Sequence, residues 1–274
     1  MITRCRPLLG TFVEVTVPAA QTAAIDHAFA AIEHVHRCMS FHDPDSDLGL
    51  IRTAPAGATI TLDPETVRVL HFALELYGHS GGLFDVTVGR ALVRTGFLPR
   101  AGIDHLAAFP GSSADIAIIA SNRIRIARRV IVDLGGIAKG HAVDQAVAAL
   151  QAAGAAEGLV NAGGDLRAFG DRDWTAELRD ADDIVRSAII VRNAALASSA
   201  NLSGRRRLRG QTYSPHFSSG GQPVLCDHRV SVIAPSCILA DGMTKIALAD
   251  PALAQRLLKR YGGHLLPVPD QEPN

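Results

Sequence analysis

The chain carries no surplus of charge: Lys and Arg together number 27, and so do Asp and Glu. Without a net field it is not drawn to nucleic acid or to an anionic membrane surface, and neither is expected as a partner. It has no Cys-x-x-Cys pair. Cys5, Cys38, Cys226 and Cys237 are scattered, which argues against a zinc site or a thioredoxin-like centre and leaves buried free thiols as the expectation. No apolar run approaches the ~20 residues of a membrane span, and the opening MITRCRPLLG holds no signal-peptide hydrophobic region. As written the chain reads as cytoplasmic; one trimmed of an export signal would read the same and be periplasmic. Neither G-x-G-x-x-G nor a complete G-x-x-x-x-G-K-[ST] loop occurs. No Pro- or Ser-rich linker and no internal repeat divides the sequence, so a single domain over residues 1–274 is expected.

What is present is an ordinary globular composition, 47% hydrophobic and 20% charged, long enough to bury a substantial core. Residues 9–17 read as a strand with Thr11, Val13, Val15 and Val17 on one face. Ile25, Phe29, Ile32, Val35 and Met39 recur at helical steps. Asp63 and Pro64 open a second helix that ends near Gly78. Two short strands are predicted between 114 and 132 and a helix over 137–153. Further strands follow near 158–161, 165–169, 174–179 and 185–192, then a Gly/Ser-rich loop over 199–223. Residues 230–234 read as a strand, 236–248 and 251–261 as helices, and 264–268 as a final strand. Strands and helices mix without βαβ alternation, which predicts an α+β fold with mixed or antiparallel sheets and packed helices.

Residues 131–145, IVDLGGIAKGHAVDQ, read as strand, tight turn and helix. Gly135 and Gly136 would let an anionic group, a phosphate above all, approach the first N–H groups of the helix near Lys139. The plainer alternative is a tight connection with Lys139 in solvent. In SGGLFDVTVG, 80–89, Phe84, Asp85 and Thr87 could hold a planar heteroaromatic ligand, or the segment is a helix cap followed by a strand. In LVNAGGDLRAFG, 159–170, Gly163, Gly164 and Asp165 suit close backbone approach, or a β-turn. LADGMTK, 239–245, sets Asp241 near the start of a helix, and the basic run at Arg205–Arg209 reads as a solvated loop.

Together with GTFVEVTV (10–17), MSFHDPDSDLGLIR (39–52), YSPHFSSGGQPV (213–224) and VSVIAPSCILADGMTK (230–245), these segments resemble, in order, the FAD:protein FMN transferases, the ApbE-type flavin transferases. The resemblance implies an FAD-binding α+β protein with Mg²⁺ at the pyrophosphate, which passes FMN to a Thr or Ser hydroxyl of an acceptor flavoprotein and releases AMP. It implies metal ligands at the Ala138 carbonyl and Asp241 and a general base at His216; in this chain Thr244 is expected as a further metal ligand and Lys245 beside Asp241 as a further catalytic residue. Phe84, Asp85 and Thr87, with Phe41 or His42, would line the flavin; Gly163, Gly164 and Asp165 would face the ligand. Two alternatives stay open: an FAD-binding module without transfer activity, and an FAD pyrophosphatase using water as nucleophile.

The chain departs from the family pattern at three places. Lys245 stands four residues after Asp241, where many members have Thr, and Thr244 precedes it by one. The tract Ser-His-Ile-Ile-Asp-Pro-Arg-Thr-Gly appears at residues 214–221 without its Asp and Arg, leaving His216 as the implied base. His42 stands where a Tyr or Trp often stacks on the flavin. An ammonium one turn from Asp241 can add charge beside a bound cation or pair with Asp241 in its place. The first is expected.

Overall fold

The computed structural model describes residues 1–267. In chain order its first elements are β1 (Ile2–Leu8), β2 (Thr11–Val17), α1 (Ala24–Met39), α2 (Asp47–Thr53), β3 (Thr59–Thr61), α3 (Pro64–His79), α4 (Gly89–Thr95), β4 (Ile116–Ala120), β5 (Arg123–Ile126) and α5 (Ala138–Ala152). Then come β6 (Gly158–Ala162), β7 (Asp165–Phe169), β8 (Trp174–Arg179), β9 (Val185–Val191), β10 (Ala195–Ser199), β11 (Arg206–Leu208), β12 (Gln211–Tyr213), β13 (Phe217–Ser218) and β14 (Gln222–Pro223). The chain closes with β15 (Val230–Ala234), α6 (Cys237–Ala249), α7 (Pro251–Tyr261) and β16 (His264–Leu265). It divides into two compact units, one of residues 1–36, 137–203 and 226 onward, the other of residues 37–136 and 204–225.

The first unit is built on a seven-stranded sheet in the order β1-β2-β6-β7-β10-β15-β16, antiparallel at every step. Alternation fixes its faces: Val13, Val15 and Val17 of β2 are fully buried. Along β7 the same alternation divides chemistry from packing. Leu166 and Ala168 pack with Ala176, Leu178 and Val191 of the β8–β9 hairpin, while Asp165 and Arg167 reach α5 to meet Lys139 and Asp144. α5 lies on β6 and β7, α6 on β10 and β15 and against α5, and α7 on α6.

The second unit combines α2, α3 and α4 with a three-stranded antiparallel sheet, β3-β5-β4, and two small hairpins, β11–β12 and β13–β14. Phe41, Val93, Ile103, Phe109 and Ile131 form one core cluster; Ala91, Leu92 and Phe217 form another. α3 begins as its cap predicts, with the Glu65 N–H donating to Asp63 Oδ1 at 2.8 Å behind Pro64.

The α+β expectation holds, and the differences are local. The strand expected from Leu9 starts at Thr11, because Leu9 (φ 56°) and Gly10 (φ 73°) form the left-handed turn that joins it to β1. β10 is a difference from the expectation: Ala195–Ser199, with Leu196 its one large apolar residue, runs into the Ser/Gly tract expected as loop, and that tract folds into the two small hairpins. α2 was hidden behind the polar loop; at seven residues it shows no periodicity, and Ser46 caps it by accepting the Gly49 N–H at 3.1 Å. The apolar run into Asp133 is buried but belongs to no strand, and the Asp133 N–H donates to the Val86 carbonyl at 2.8 Å. Residues 84–88 are likewise not a strand. The expected last strand keeps His264 and Leu265, and its end at Val268 lies outside the described residues. Of the cysteines, Cys226 and Cys237 are buried, Cys38 is half-buried and Cys5 is exposed on the edge strand β1, so burial holds for two of the four.

Candidate active site

In the first unit the chemistry gathers where α5 and α6 meet. Gly140 makes the meeting possible: a Cβ there would lie 2.3 Å from the Cys237 carbonyl oxygen. At that spacing each helix caps the other. Asp241 of α6 accepts the Gly140 N–H at 3.1 Å, and Asp144 of α5 accepts the Cys237 and Ile238 N–H groups, both at 2.9 Å. Neither Ile137 nor Ser236, the residues at the cap positions, makes a side-chain capping bond. The two carboxylates therefore meet donors that the local sequence leaves open.

Two ion pairs complete the cluster. Lys139 Nζ lies 2.5 Å from Asp165 Oδ2, so this lysine is not a solvent side chain. Lys245 Nζ donates to Asp241 Oδ1 at 2.9 Å, to Ser199 Oγ at 2.7 Å and to Thr244 Oγ1 at 2.9 Å. Thr244 Oγ1 in turn donates to the Asp241 carbonyl at 2.7 Å and lies 2.8 Å from Ser199 Oγ. Asp241 is wholly buried. Burial works to raise its pKa but is outweighed by Lys245, Lys139 and the Gly140 N–H, which hold it below the ordinary carboxylate range. Asp165 goes the other way, raised by burial and by the Asp241 charge against the pull of Lys139. Burial acts to lower Lys139, and Asp165 and Asp241 overcome it and hold the ammonium charged.

This donor set does not fit a divalent cation. Oδ1 of Asp241 receives an ammonium and Oδ2 an amide N–H. The Thr244 hydroxyl has spent its proton and both lone pairs on Asp241, Lys245 and Ser199. The cluster holds two carboxylates and two ammonium groups, whereas a hard cation needs several oxygen ligands carrying net negative charge. Ala138 does open α5, two residues before Gly140.

The glycines expected to face a ligand have structural explanations. Gly163 (φ 62°) and Gly164 (φ 98°) are the two central residues of the β6–β7 hairpin turn, closed by the Ala162–Asp165 pair. A Cβ on Gly163 would come within 2.4 Å of Thr11 Oγ1. The Gly135 N–H donates to Asp133 Oδ2 at 3.3 Å. Desolvation pushes the Asp133 carboxyl up to about 6 against that bond and the His42 charge.

In the second unit, Asp85 Oδ1 accepts from the Thr87 N–H (2.7 Å), Thr87 Oγ1 (2.6 Å) and Ser113 Oγ (2.7 Å). This knot fixes one wall of a cavity of about 330 Å³, whose other walls include Arg90, Arg94, Phe109 and Gly221. Phe84 is 4% exposed and belongs to the core instead of presenting a ring. Phe41, 5% exposed, has the Arg52 guanidinium over its ring at 4.9 Å, which leaves the exposed His42, set edge-on to it, as the accessible ring of the pair. His216 is held through its backbone, its N–H donating to Ser214 Oγ at 3.1 Å and its carbonyl accepting the Val224 N–H at 2.9 Å. The basic run forms the β11–β12 hairpin, where Arg206 lies over the Phe97 ring and donates to the Gly96 carbonyl.

The structure thus brings Lys139, Asp165, Asp241, Thr244 and Lys245 together in one unit and sets Asp85 with Thr87 in the other. Sequence reasoning missed Asp144, Ser199 and Ser113. Asp144 had a usable signal, a carboxylate on the buried side of an Ala-rich helix; Ser199 and Ser113 had none.

The ApbE family model matches residues 9–265. An FAD:protein FMN transferase of Rhodobacter capsulatus is 28% identical over 232 residues, which is 78% of this chain and 42% of that protein, so the chain spans less than half the length of this relative. A Vibrio cholerae protein of the same name is 28% identical over 235 residues, covering 77% of this chain and 69% of its own. Among solved structures, the ApbE protein of Thermotoga maritima superposes with a TM-score of 0.82 at 26% identity, over 97% of this chain and 93% of that one. Apo flavinyl transferase ApbE of Pseudomonas stutzeri gives a TM-score of 0.81 at 22% identity, over 96% and 89%.

Proposed function

The chain belongs to the ApbE family, and from that premise we propose that it transfers the FMN half of FAD to a Thr or Ser hydroxyl of an acceptor flavoprotein and releases AMP. The family model spans both compact units, which supports treating residues 1–274 as one functional domain. No helix among the described residues is long and apolar enough to cross a membrane.

In the proposed reaction the acceptor oxygen attacks the phosphorus of the FMN half. The bond from that phosphorus to the bridging oxygen breaks, AMP leaves with the bridging oxygen, and the acceptor proton passes to a base, for which His216 is the candidate. Lys139 and Lys245 are assigned to the charge that gathers on the phosphate oxygens, and the start of α5 to the approach of the pyrophosphate. Asp85 and Thr87, on the wall of the 330 Å³ cavity, and the exposed ring of His42 are assigned to the ligand's aromatic part. Mg²⁺, implied by resemblance, is given no step because the donor set around Asp241 does not fit it.

The observation that carries this reading is the cluster at the start of α5 in which the half-buried Lys139 and Lys245 pair with the buried Asp165 and Asp241, within a chain that matches the family over nearly its whole length. Chromatography of the nucleotide products tests it. Incubation with FAD and an acceptor should yield AMP in step with acceptor modification. AMP and free FMN without modification would mark hydrolysis, and FAD bound but unchanged would mark a binding module.

A further inference from the structure

We propose that the Lys245 ammonium permanently occupies the position of a divalent cation beside Asp241, so that this chain acts on FAD without a bound metal. The inference deepens the reading above and rests on it for its activity arm only.

The geometry at Nζ carries the argument. An ammonium has three N–H donors, and Lys245 directs them to a carboxylate oxygen, Asp241 Oδ1, and to two hydroxyls, Ser199 Oγ and Thr244 Oγ1, all within 2.9 Å. That is a shell of oxygen around a positive centre, with one anionic member, in a pocket where Asp241 is wholly buried. An i,i+4 surface pair would share one contact and stay wet. Here the three acceptors come from α6 and from β10, and Ser199 and Thr244 are also tied to each other. The neighbouring pair, Lys139 with Asp165, balances its own charge, so the cluster is neutral as it stands. A dication beside Asp241 would place two cationic centres on one carboxylate and would have to expel the ammonium or strip the hydroxyls of their partners. This reverses the expectation from sequence, in which Lys245 stood beside a retained Mg²⁺.

The test has two arms. In the first, Mn²⁺ alone is titrated into wild type, Lys245→Thr and Asp241→Asn, and bound ion is read by electron paramagnetic resonance. Wild type should hold no Mn²⁺ that Asp241→Asn removes, whereas Lys245→Thr should gain about one equivalent, since the substitution frees the carboxylate and supplies a neutral oxygen. Asp241-dependent Mn²⁺ binding by wild type overturns the proposal, and so does a folded Lys245→Thr protein that binds none. In the second arm, AMP release from FAD is measured in EDTA and across a Mg²⁺ titration. Wild-type turnover should be unchanged by EDTA, and Lys245→Thr should lose roughly 100-fold in EDTA and recover with Mg²⁺. Wild-type turnover that EDTA abolishes and Mg²⁺ restores overturns the proposal. If Lys245→Thr does not fold, the wild-type measurements of both arms decide. If wild type neither cleaves FAD nor transfers FMN under any condition, the functional reading has failed, and the Mn²⁺ arm still decides the role of Lys245.

Discussion

At the scale of the residue, Asp241 does three tasks at once: it caps α5, pairs with Lys245 and keeps its charge in a wholly buried place. An Asp241→Asn change keeps one acceptor for the Gly140 N–H but strands the Lys245 ammonium. The expected outcome is a loss of about 3 kcal/mol in urea unfolding, as for other broken buried pairs, together with loss of turnover. The i,i+4 spacing of Asp241 and Lys245 does not by itself reveal this burial. Asp133 gives a prediction of opposite sign. Its carboxyl, ordinarily near 3.8, is pushed to about 6 in the fold. Between those values the native state holds a proton the unfolded chain has lost, so this group's contribution to stability falls as pH rises through the window and is lowest above it. Asp133→Asn should therefore be more stable than wild type at pH 7, by about 1 kcal/mol after allowance for its partial exposure, with the difference vanishing below about pH 4. Thermal melts from pH 3.5 to 8 read this directly, and a difference that grows toward low pH would contradict it.

At the scale of the element, the pairing of α5 with α6 sets the cluster, and Gly140 sets the pairing. A methyl group at Gly140 would meet backbone, Cys237 O at 2.3 Å and Cys237 C at 2.7 Å, which no rotamer change can relieve. Gly140→Ala should cost about 3 kcal/mol of stability despite the better helix propensity of Ala, and should weaken both reciprocal caps. Native-state hydrogen exchange at Cys237 and Ile238 would report the second effect. The helices themselves were legible in the sequence: the spacing of Ile25, Phe29, Ile32 and Val35 gives α1, and Asp63-Pro64 gives the start of α3. β10 and α2 were not, because a strand with one large apolar residue, Leu196, carries no apolar alternation and two turns of helix carry no period. The Gly163-Gly164 pair was visible as a feature and ambiguous in meaning, since a left-handed hairpin turn and a ligand cradle require the same residue type.

At the scale of the whole molecule, the order of seven short segments along the chain carried more than any one of them, and the family model matches residues 9–265, a span that contains all seven. What order could not convey was which side chains share a hydrogen bond. Asp144 and Asp241 lie almost a hundred positions apart in sequence and exchange caps; Ser199, read as loop, supplies one of the three ligands of the Lys245 ammonium. The measurement that bears most directly on the central claim is the intact mass of an acceptor flavoprotein after incubation with this protein and FAD, beside the same acceptor with its target Thr or Ser replaced by Ala. A mass increase of one FMN residue on the first acceptor alone, matched by AMP, is the result predicted. An unmodified acceptor with FAD intact, from a folded protein and with Mg²⁺ supplied or withheld, would contradict it.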